Sequence, residues 1–177
     1  YRGEFLRHQI VDCSTSLVLC DGAYLENLVA ILGDLPNIRR ILVRGGGEPP
    51  RRDGVIIESL DTARGHDDTP VATTVIPRDI SCLIYTSGTT GPSKGCMISH
   101  SYLSSVGHRR NRCIPPQEGE ITWSCLPLFH IAALGALLIA NLLAGARASI
   151  AERFSVSGFW DEIERSKATS GMLLASM

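Results

Sequence analysis

The sequence has almost no net charge and no closely paired cysteines, and each absence argues against certain partners or binding sites. Its 177 residues carry 17 Lys and Arg against 18 Asp and Glu, a formal net charge of −1. This balance gives no reason to expect a nucleic acid or an anionic membrane surface as a partner. No Cys-x-x-Cys pair occurs among the six cysteines, which argues against a zinc site. We expect reduced thiols and a cytoplasmic protein.

The sequence also lacks a long uninterrupted apolar run. The longest candidate covers residues 131–144 and is broken by Asn141. About 20 apolar residues are needed to cross a bilayer, and shorter runs more often form buried helices. We therefore predict a core helix and no transmembrane segment. The alternative, a membrane anchor formed by residues 126–146, predicts detergent-dependent extraction.

Two common nucleotide-binding motifs are absent. The P-loop requires glycine immediately before its lysine, whereas Ser93 precedes Lys94 and Gly95 follows it. No Gly-x-Gly-x-x-Gly fingerprint follows a predicted strand. The chain therefore does not match the P-loop or the dinucleotide-binding pattern.

What the sequence does contain is one segment rich in glycine and hydroxyl groups. Residues 85–95, here named the phosphate loop, read Tyr-Thr-Ser-Gly-Thr-Thr-Gly-Pro-Ser-Lys-Gly. Glycines allow tight turns whose amides bind anions, and a lysine adds a positive charge. A flexible linker has a similar composition but needs neither the lysine nor apolar runs on both sides. The predicted phosphate-binding residues are Thr86, Ser87, Gly88, Thr89, Thr90, Gly91 and Lys94.

The phosphate loop resembles the signature of the adenylate-forming superfamily, which includes acyl-CoA synthetases, adenylation domains and luciferases. It departs from that signature at one position, where Ser93 replaces proline and removes a rigid φ. A second family element follows at residues 126–130, Leu-Pro-Leu-Phe-His, and residues 97–100 between the two also fit. The resemblance implies an α/β fold of layered mixed and parallel sheets flanked by helices.

The resemblance also implies an activity. A carboxylic acid would attack the α-phosphorus of Mg²⁺-ATP, and the thiol of coenzyme A would then displace AMP. We expect an acyl-CoA ligase of the kind used in fatty acid metabolism. By the same resemblance Lys94 contacts the β- and γ-phosphates and His130 binds the acyl substrate. A buried core histidine is the alternative for His130, and no metal ligand is assigned.

The family's later glutamate element and its lysine-bearing C-terminal domain do not occur in residues 1–177. We therefore expect a fragment of the N-terminal domain that carries no catalytic residue and is inactive alone. The alternatives are an adenylation domain that loads a carrier protein, and a non-catalytic truncated nucleotide-binding fragment.

Apolar periodicity predicts alternating strands and helices. Predicted strands cover residues 17–20, 41–43, 55–57, 80–85, 95–98, 121–126, 147–151 and 169–175. Asp21 is predicted to cap a helix with Leu25, Leu28, Val29 and Leu32 on one face, ending before Pro36. Ser99 is predicted to cap a helix that runs to about Arg112. Ser155 is predicted to cap another helix, whose apolar face carries Val156, Phe159, Trp160 and Ile163. Residues 44–54 and 61–79 are predicted loops.

Overall fold

The computed structural model describes residues 1–45, 54–63, 65, 69–86 and 91–174, which fall into two units. The first unit comprises Tyr1–Thr73 with Tyr85–Gly95, and the second comprises Thr74–Ile84 with Cys96–Met177.

A three-stranded parallel sheet organises the first unit. Its strands are β1 (Leu17–Asp21), β2 (Arg40–Arg44) and β3 (Ile56–Ser59), in the order β1-β2-β3. Three consecutive residues of β2 are buried. A continuous apolar run of this kind is typical of a parallel strand covered on both faces. The three strands predicted from the sequence are confirmed within one or two residues at each end.

Two helices accompany this sheet, α1 (Gly3–Asp12) and α2 (Leu25–Val29). Asp21 accepts a hydrogen bond from the Ala23 amide at 3.0 Å, as a capping residue does, but it caps a single 3₁₀ turn. The core of the unit lies between the sheet and these turns and consists of Leu28, Leu35, Ile38, Ile41 and Val43 with partly buried neighbours. The long helix predicted from Asp21 to Pro36 is wrong, because α2 ends at Val29.

The strands β4 (Ile80–Thr86) and β5 (Lys94–Ser99) pair with each other on either side of the phosphate loop. This arrangement confirms the strand–loop–strand layout predicted from the sequence. Residues 87–90 between them lie outside the described residues.

A second three-stranded parallel sheet organises the second unit. Its strands are β6 (Ile121–Ser124), β7 (Arg147–Ile150) and β8 (Ser170–Gly171), in the order β7-β6-β8. All four residues of the central strand β6 are buried. It ends two residues before the predicted Leu126, because the Ser124 hydroxyl accepts from the Leu126 amide at 3.2 Å and turns the chain.

Helices α3 (His100–Cys113), α4 (Ala140–Leu143) and α5 (Phe159–Ser166) belong to this unit. Ser99 accepts a hydrogen bond from the Tyr102 amide at 3.2 Å, so the predicted cap of α3 is confirmed. The predicted apolar helix is present as a π-helical segment, Ala132–Ile139, followed directly by α4. In the described part of the chain no helix is long and apolar enough to cross a membrane.

The apolar face predicted for α5 is only partly correct. Phe159 packs edge-on against Trp123 with ring centroids 5.3 Å apart. Val156 precedes the helix and is 83% exposed, and Trp160 is 73% exposed. The helix starts three residues later than predicted, because the Ser155 hydroxyl holds the Gly158 amide rather than starting a turn at Val156.

Asn141 has a structural role in this unit. It is 1% exposed, and its side chain donates to the Leu137 carbonyl oxygen at 2.7 Å and accepts from the Thr122 hydroxyl at 3.0 Å. A buried amide is tolerated when its donor and acceptor are both satisfied. The polar residue that interrupts the apolar run thus ties the helical segment to β6.

Candidate functional site

The two strand ends beside the phosphate loop bring Thr86 and Lys94 together in the first unit. The Thr86 hydroxyl points to the Lys94 carbonyl oxygen at 3.5 Å, a long hydrogen bond. The Lys94 side chain is exposed and forms no ion pair with another described residue. An exposed, unpaired ammonium group next to a glycine- and hydroxyl-rich loop is available for an anionic ligand.

The structure describes only part of the predicted phosphate-binding set. Thr86, Gly91 and Lys94 are described, and Ser87, Gly88, Thr89 and Thr90 lie outside the described residues. The assignment of those four residues to phosphate contacts stays a prediction.

Helix α1 contacts both sides of the phosphate loop. The His8 ring donates through Nε2 to the Ser93 carbonyl oxygen at 2.8 Å, and Gln9 Nε2 donates to the Ser93 hydroxyl at 3.4 Å. On the other side of the loop, the Tyr85 hydroxyl donates to Oδ2 of Asp12 at 2.6 Å. These contacts lie within the first unit. No pattern in the sequence links residues 8–12 with residues 85–93, so these contacts could not be predicted from it.

The Tyr85 phenol stays protonated over the whole physiological range. Burial raises the pKa of Tyr85 above its ordinary value, and the hydrogen bond to the Asp12 carboxylate raises that pKa further. The Cys13 thiol lies 3.1 Å from the same hydroxyl. Tyr85 is therefore a permanent hydrogen-bond donor at the entrance to the phosphate loop.

Gly95 allows the Tyr85 ring to lie across the start of β5. A Cβ at Gly95 would be 3.1 Å from Cζ of the ring and 3.2 Å from its hydroxyl oxygen. A larger residue here would require the ring to shift by a few tenths of an ångström. The last glycine of the loop thus allows the close approach of Tyr85.

His130 belongs to the second unit and is exposed. Its ring Nδ1 accepts a hydrogen bond from the Ala132 amide at 3.2 Å, at the start of the π-helical segment. Because Nδ1 is an acceptor here, the neutral ring carries its proton on Nε2. The alternative of a buried core histidine is wrong, because the ring is exposed, and the Nε2–H group points to no described acceptor.

No cluster of three or more His, Cys, Asp or Glu side chains that would hold a metal ion occurs in the described part of the chain. The described ends of the phosphate loop offer a hydroxyl and an ammonium group and no carboxylate. Mg²⁺ prefers carboxylate and phosphate oxygens. These residues do not fit a protein-held magnesium site.

None of the six cysteines, all of which the structure describes, forms a disulfide. Burial raises the pKa of the Cys20, Cys82 and Cys125 thiols above the ordinary value. A raised pKa lowers the thiolate fraction near neutral pH, and the thiolate is the nucleophilic form. These three cysteines are inert packing residues.

Comparison with known proteins gives a consistent result across the whole chain. The family model described as AMP-binding enzyme matches residues 1–177. A 4-coumarate–CoA ligase of Narcissus pseudonarcissus is 38% identical over 174 residues, which cover 90% of this chain and 29% of that protein. The medium/long-chain-fatty-acid–CoA ligase FadD6 of Mycobacterium tuberculosis is 30% identical over 175 residues, 96% of this chain and 27% of that protein.

The fold agrees with that of a solved enzyme structure. The crystal structure of the anthranilate CoA ligase AuaEII in complex with anthranoyl-AMP superimposes with a TM-score of 0.83 over 97% of this chain, at 24% sequence identity. The match covers 33% of that protein. The chain therefore spans about a third or less of the length of these three proteins.

Proposed function

The chain belongs to the AMP-binding enzyme family, and on that premise we propose that the protein containing it is an ATP-dependent acid–thiol ligase. In this proposal residues 1–177 are a fragment of the N-terminal domain that binds the phosphates of ATP and is inactive alone. The names of two relatives support this reading, since both are CoA ligases. The observation that carries it is the exposed Lys94 beside Thr86 at the base of the phosphate loop, a lysine that forms no ion pair with any residue that the structure describes.

The proposed reaction has two steps. A carboxylate oxygen of the acid bonds to the α-phosphorus of ATP, and the bond to the β-phosphate oxygen breaks, so that pyrophosphate leaves. The sulfur of coenzyme A then bonds to the acyl carbon of the adenylate, AMP leaves, and the thiol proton is released. The first step is difficult because an anion must approach a polyanion.

The phosphate loop reduces that repulsion. Lys94 places a positive charge beside the departing pyrophosphate, and the Thr86 hydroxyl, whose contact with the Lys94 carbonyl oxygen is long at 3.5 Å, rotates to donate to a phosphate oxygen. Preorganised donors of this kind stabilise charge that develops in the transition state. We assign Mg²⁺ to the phosphates of the nucleotide rather than to this part of the chain, so no protein ligand is required of the described residues.

His130 is proposed to orient the acid. Its Nδ1 is engaged by the Ala132 amide, so the ring presents Nε2–H as a donor to a carboxylate. The substrate class proposed is an aryl or aliphatic carboxylic acid, by similarity to relatives named for 4-coumarate and for medium- and long-chain fatty acids.

The proposal is tested by ATP–pyrophosphate exchange in the full-length protein, with 4-coumarate and a medium-chain fatty acid as probes. Lys94→Asn should raise the KM for ATP about tenfold to a hundredfold, the loss expected for a hydrogen bond to a charged group. Lys167→Asn is the matched control. It removes the same charge at the end of α5, where φ is +54° and asparagine is tolerated.

Equal effects of the two substitutions would contradict the role of Lys94. Exchange that depends on an amino acid and on neither probe would favour the carrier-loading adenylation domain. No acid-dependent exchange with any probe would leave a nucleotide-binding fragment without this chemistry.

A further inference from the structure

Helix α1 contributes one polar face to the base of the phosphate loop. His8 and Asp12 lie four residues apart, so their side chains project from the same side of the helix. One contacts the chain after the loop, at Ser93, and the other contacts the chain before it, at Tyr85. A single helix is thus attached to the chain on both sides of the loop.

The contact with Ser93 restrains a residue that has no rigidity of its own. Serine has a free φ, whereas a proline ring would fix φ near −65°. At this position the carbonyl oxygen is held by His8 and the hydroxyl by Gln9, so both the backbone and the side chain of Ser93 are restrained. Ser93 is also the one position where the loop departs from the adenylate-forming signature.

The contact with Tyr85 restrains the other end. Its hydroxyl donates to Asp12 and also lies 3.4 Å from the Gln9 carbonyl oxygen, while its ring packs on Gly95. A half-buried phenol that keeps its proton makes this contact insensitive to pH over the physiological range.

We propose that α1 is a positioning element for ATP binding, in which His8 and Gln9 fix Ser93 and Asp12 fixes Tyr85. The inference rests on the proposed function, because it concerns the loop assigned to ATP. Holding Tyr85 and Ser93 in place lowers the ordering cost that these two residues contribute to nucleotide binding. The neighbouring Lys94 is thereby kept at a fixed distance from Thr86.

The first experiment measures pyrophosphate exchange in the full-length protein carrying His8→Ala with Gln9→Ala. The KM for ATP should rise about fivefold to tenfold, as expected for one or two lost hydrogen bonds, with the KM for the acid unchanged. Glu4→Ala on the same helix is the control. Glu4 is exposed, pairs only with Arg7 among the described residues, and its replacement should leave both constants unchanged.

If α1 acts by fixing Ser93, the substitution Ser93→Pro should restore the KM for ATP of the double variant. If α1 has only a structural role, no such rescue is expected. Proline fixes φ at residue 93 covalently, so adding it should reduce the effect of the double substitution to less than about twofold. An effect of unchanged size in the Ser93→Pro background would overturn the proposal.

A second readout does not depend on activity. Amide hydrogen exchange at Thr86 and Lys94, without ATP, should be at least about tenfold faster in the double variant and in Tyr85→Phe, and unchanged in Glu4→Ala. Unchanged exchange in both would overturn the positioning role even if activity were lost. The variants could show faster amide hydrogen exchange while the wild-type protein shows no acid-dependent pyrophosphate exchange. That result would support the positioning role of α1 and contradict the proposed function.

Discussion

His130 has one ring nitrogen engaged by the fold and the other directed to no described partner. The Ala132 amide donates to Nδ1 at 3.2 Å, which fixes the tautomer with the proton on Nε2. Substitution of His130 therefore removes both the acceptor for the Ala132 amide and the Nε2–H donor to solvent or ligand. The two contributions are separable, because a shorter side chain can accept from the Ala132 amide without placing a donor where Nε2 lies.

Asparagine and alanine distinguish these contributions. His130→Asn retains an oxygen that can accept from the Ala132 amide, whereas His130→Ala retains nothing. If the ring orients the acid, both variants should raise the KM for the acid about fivefold or more and leave the KM for ATP unchanged, as expected for one lost hydrogen bond. Near-normal kinetics for His130→Asn alone would indicate that the ring serves only the start of the helical segment.

At the scale of single residues, the sequence predicts those members of the candidate site whose neighbours along the chain form a motif. It does not predict those whose partners are distant in sequence. Lys94 and His130 are recognisable because their neighbours along the chain form motifs. His8, Gln9 and Asp12 are not, because their partners lie 73 to 85 residues away and no local pattern reports the contact. These long-range hydrogen bonds arise only where the fold brings the helix and the loop together.

Among the elements, α3 packs closely against the π-helical segment and α4 through glycines. A Cβ at Gly107 would lie 2.9 Å from Cδ1 of Leu143 and 3.2 Å from the backbone nitrogen of Ala140. A Cβ at Gly135 would lie 2.8 Å from Cγ1 of Val106. The Asn111 side chain adds a hydrogen bond to the Ala140 carbonyl oxygen at 2.7 Å across the same contact. Small residues set the separation of the helices.

Gly107→Ala should lower the free energy of unfolding by about 1–3 kcal/mol, the usual cost of overpacking. The loss is expected although alanine is the better helix former by up to about 1 kcal/mol. Gly171→Ala in β8 is the control, since its Cβ would lie 3.9 Å from the nearest atom, the Trp123 carbonyl oxygen. Urea titration of both variants gives the comparison, and equal stability would contradict the close packing.

Strands were easier to predict than helices, because short apolar runs bounded by polar residues identify buried parallel strands. Helix α1 has no such signal, since two of its apolar residues, Phe5 and Val11, face solvent. Helix α2 ends earlier than predicted because Ile31 leaves helical geometry, with φ −113° and ψ +3°. Gly33 and Pro36 further along do not favour a new α-helix. Leu35 lies outside the helical region, with φ −116° and ψ +76°.

At the scale of the whole chain, β1 is an edge strand with apolar side chains on its exposed face. Leu17 and Leu19 are 52% and 65% exposed. They line a cavity of about 460 Å³ together with residues of α1 and α2. An exposed apolar edge strand is a template for association with another chain.

We expect the chain of residues 1–177 alone to self-associate through this edge. Leu17→Lys with Leu19→Lys should reduce association, because lysine at an edge strand opposes pairing. Ala72→Lys with Thr74→Lys is the matched control, which adds the same charge at the same spacing in an exposed stretch outside the helices and strands. Light scattering against concentration tests this, and an equal reduction by both pairs would indicate a general effect of charge.

The contact between Tyr85 and Asp12 joins residues 73 positions apart, and that between His8 and Ser93 joins residues 85 positions apart. Closing a segment of that length costs entropy that local contacts do not recover, so such contacts form late in folding. During synthesis, α1 leaves the ribosome long before the loop that it contacts. The loop therefore acquires its contacts with His8 and Asp12 only after most of the first unit has been made.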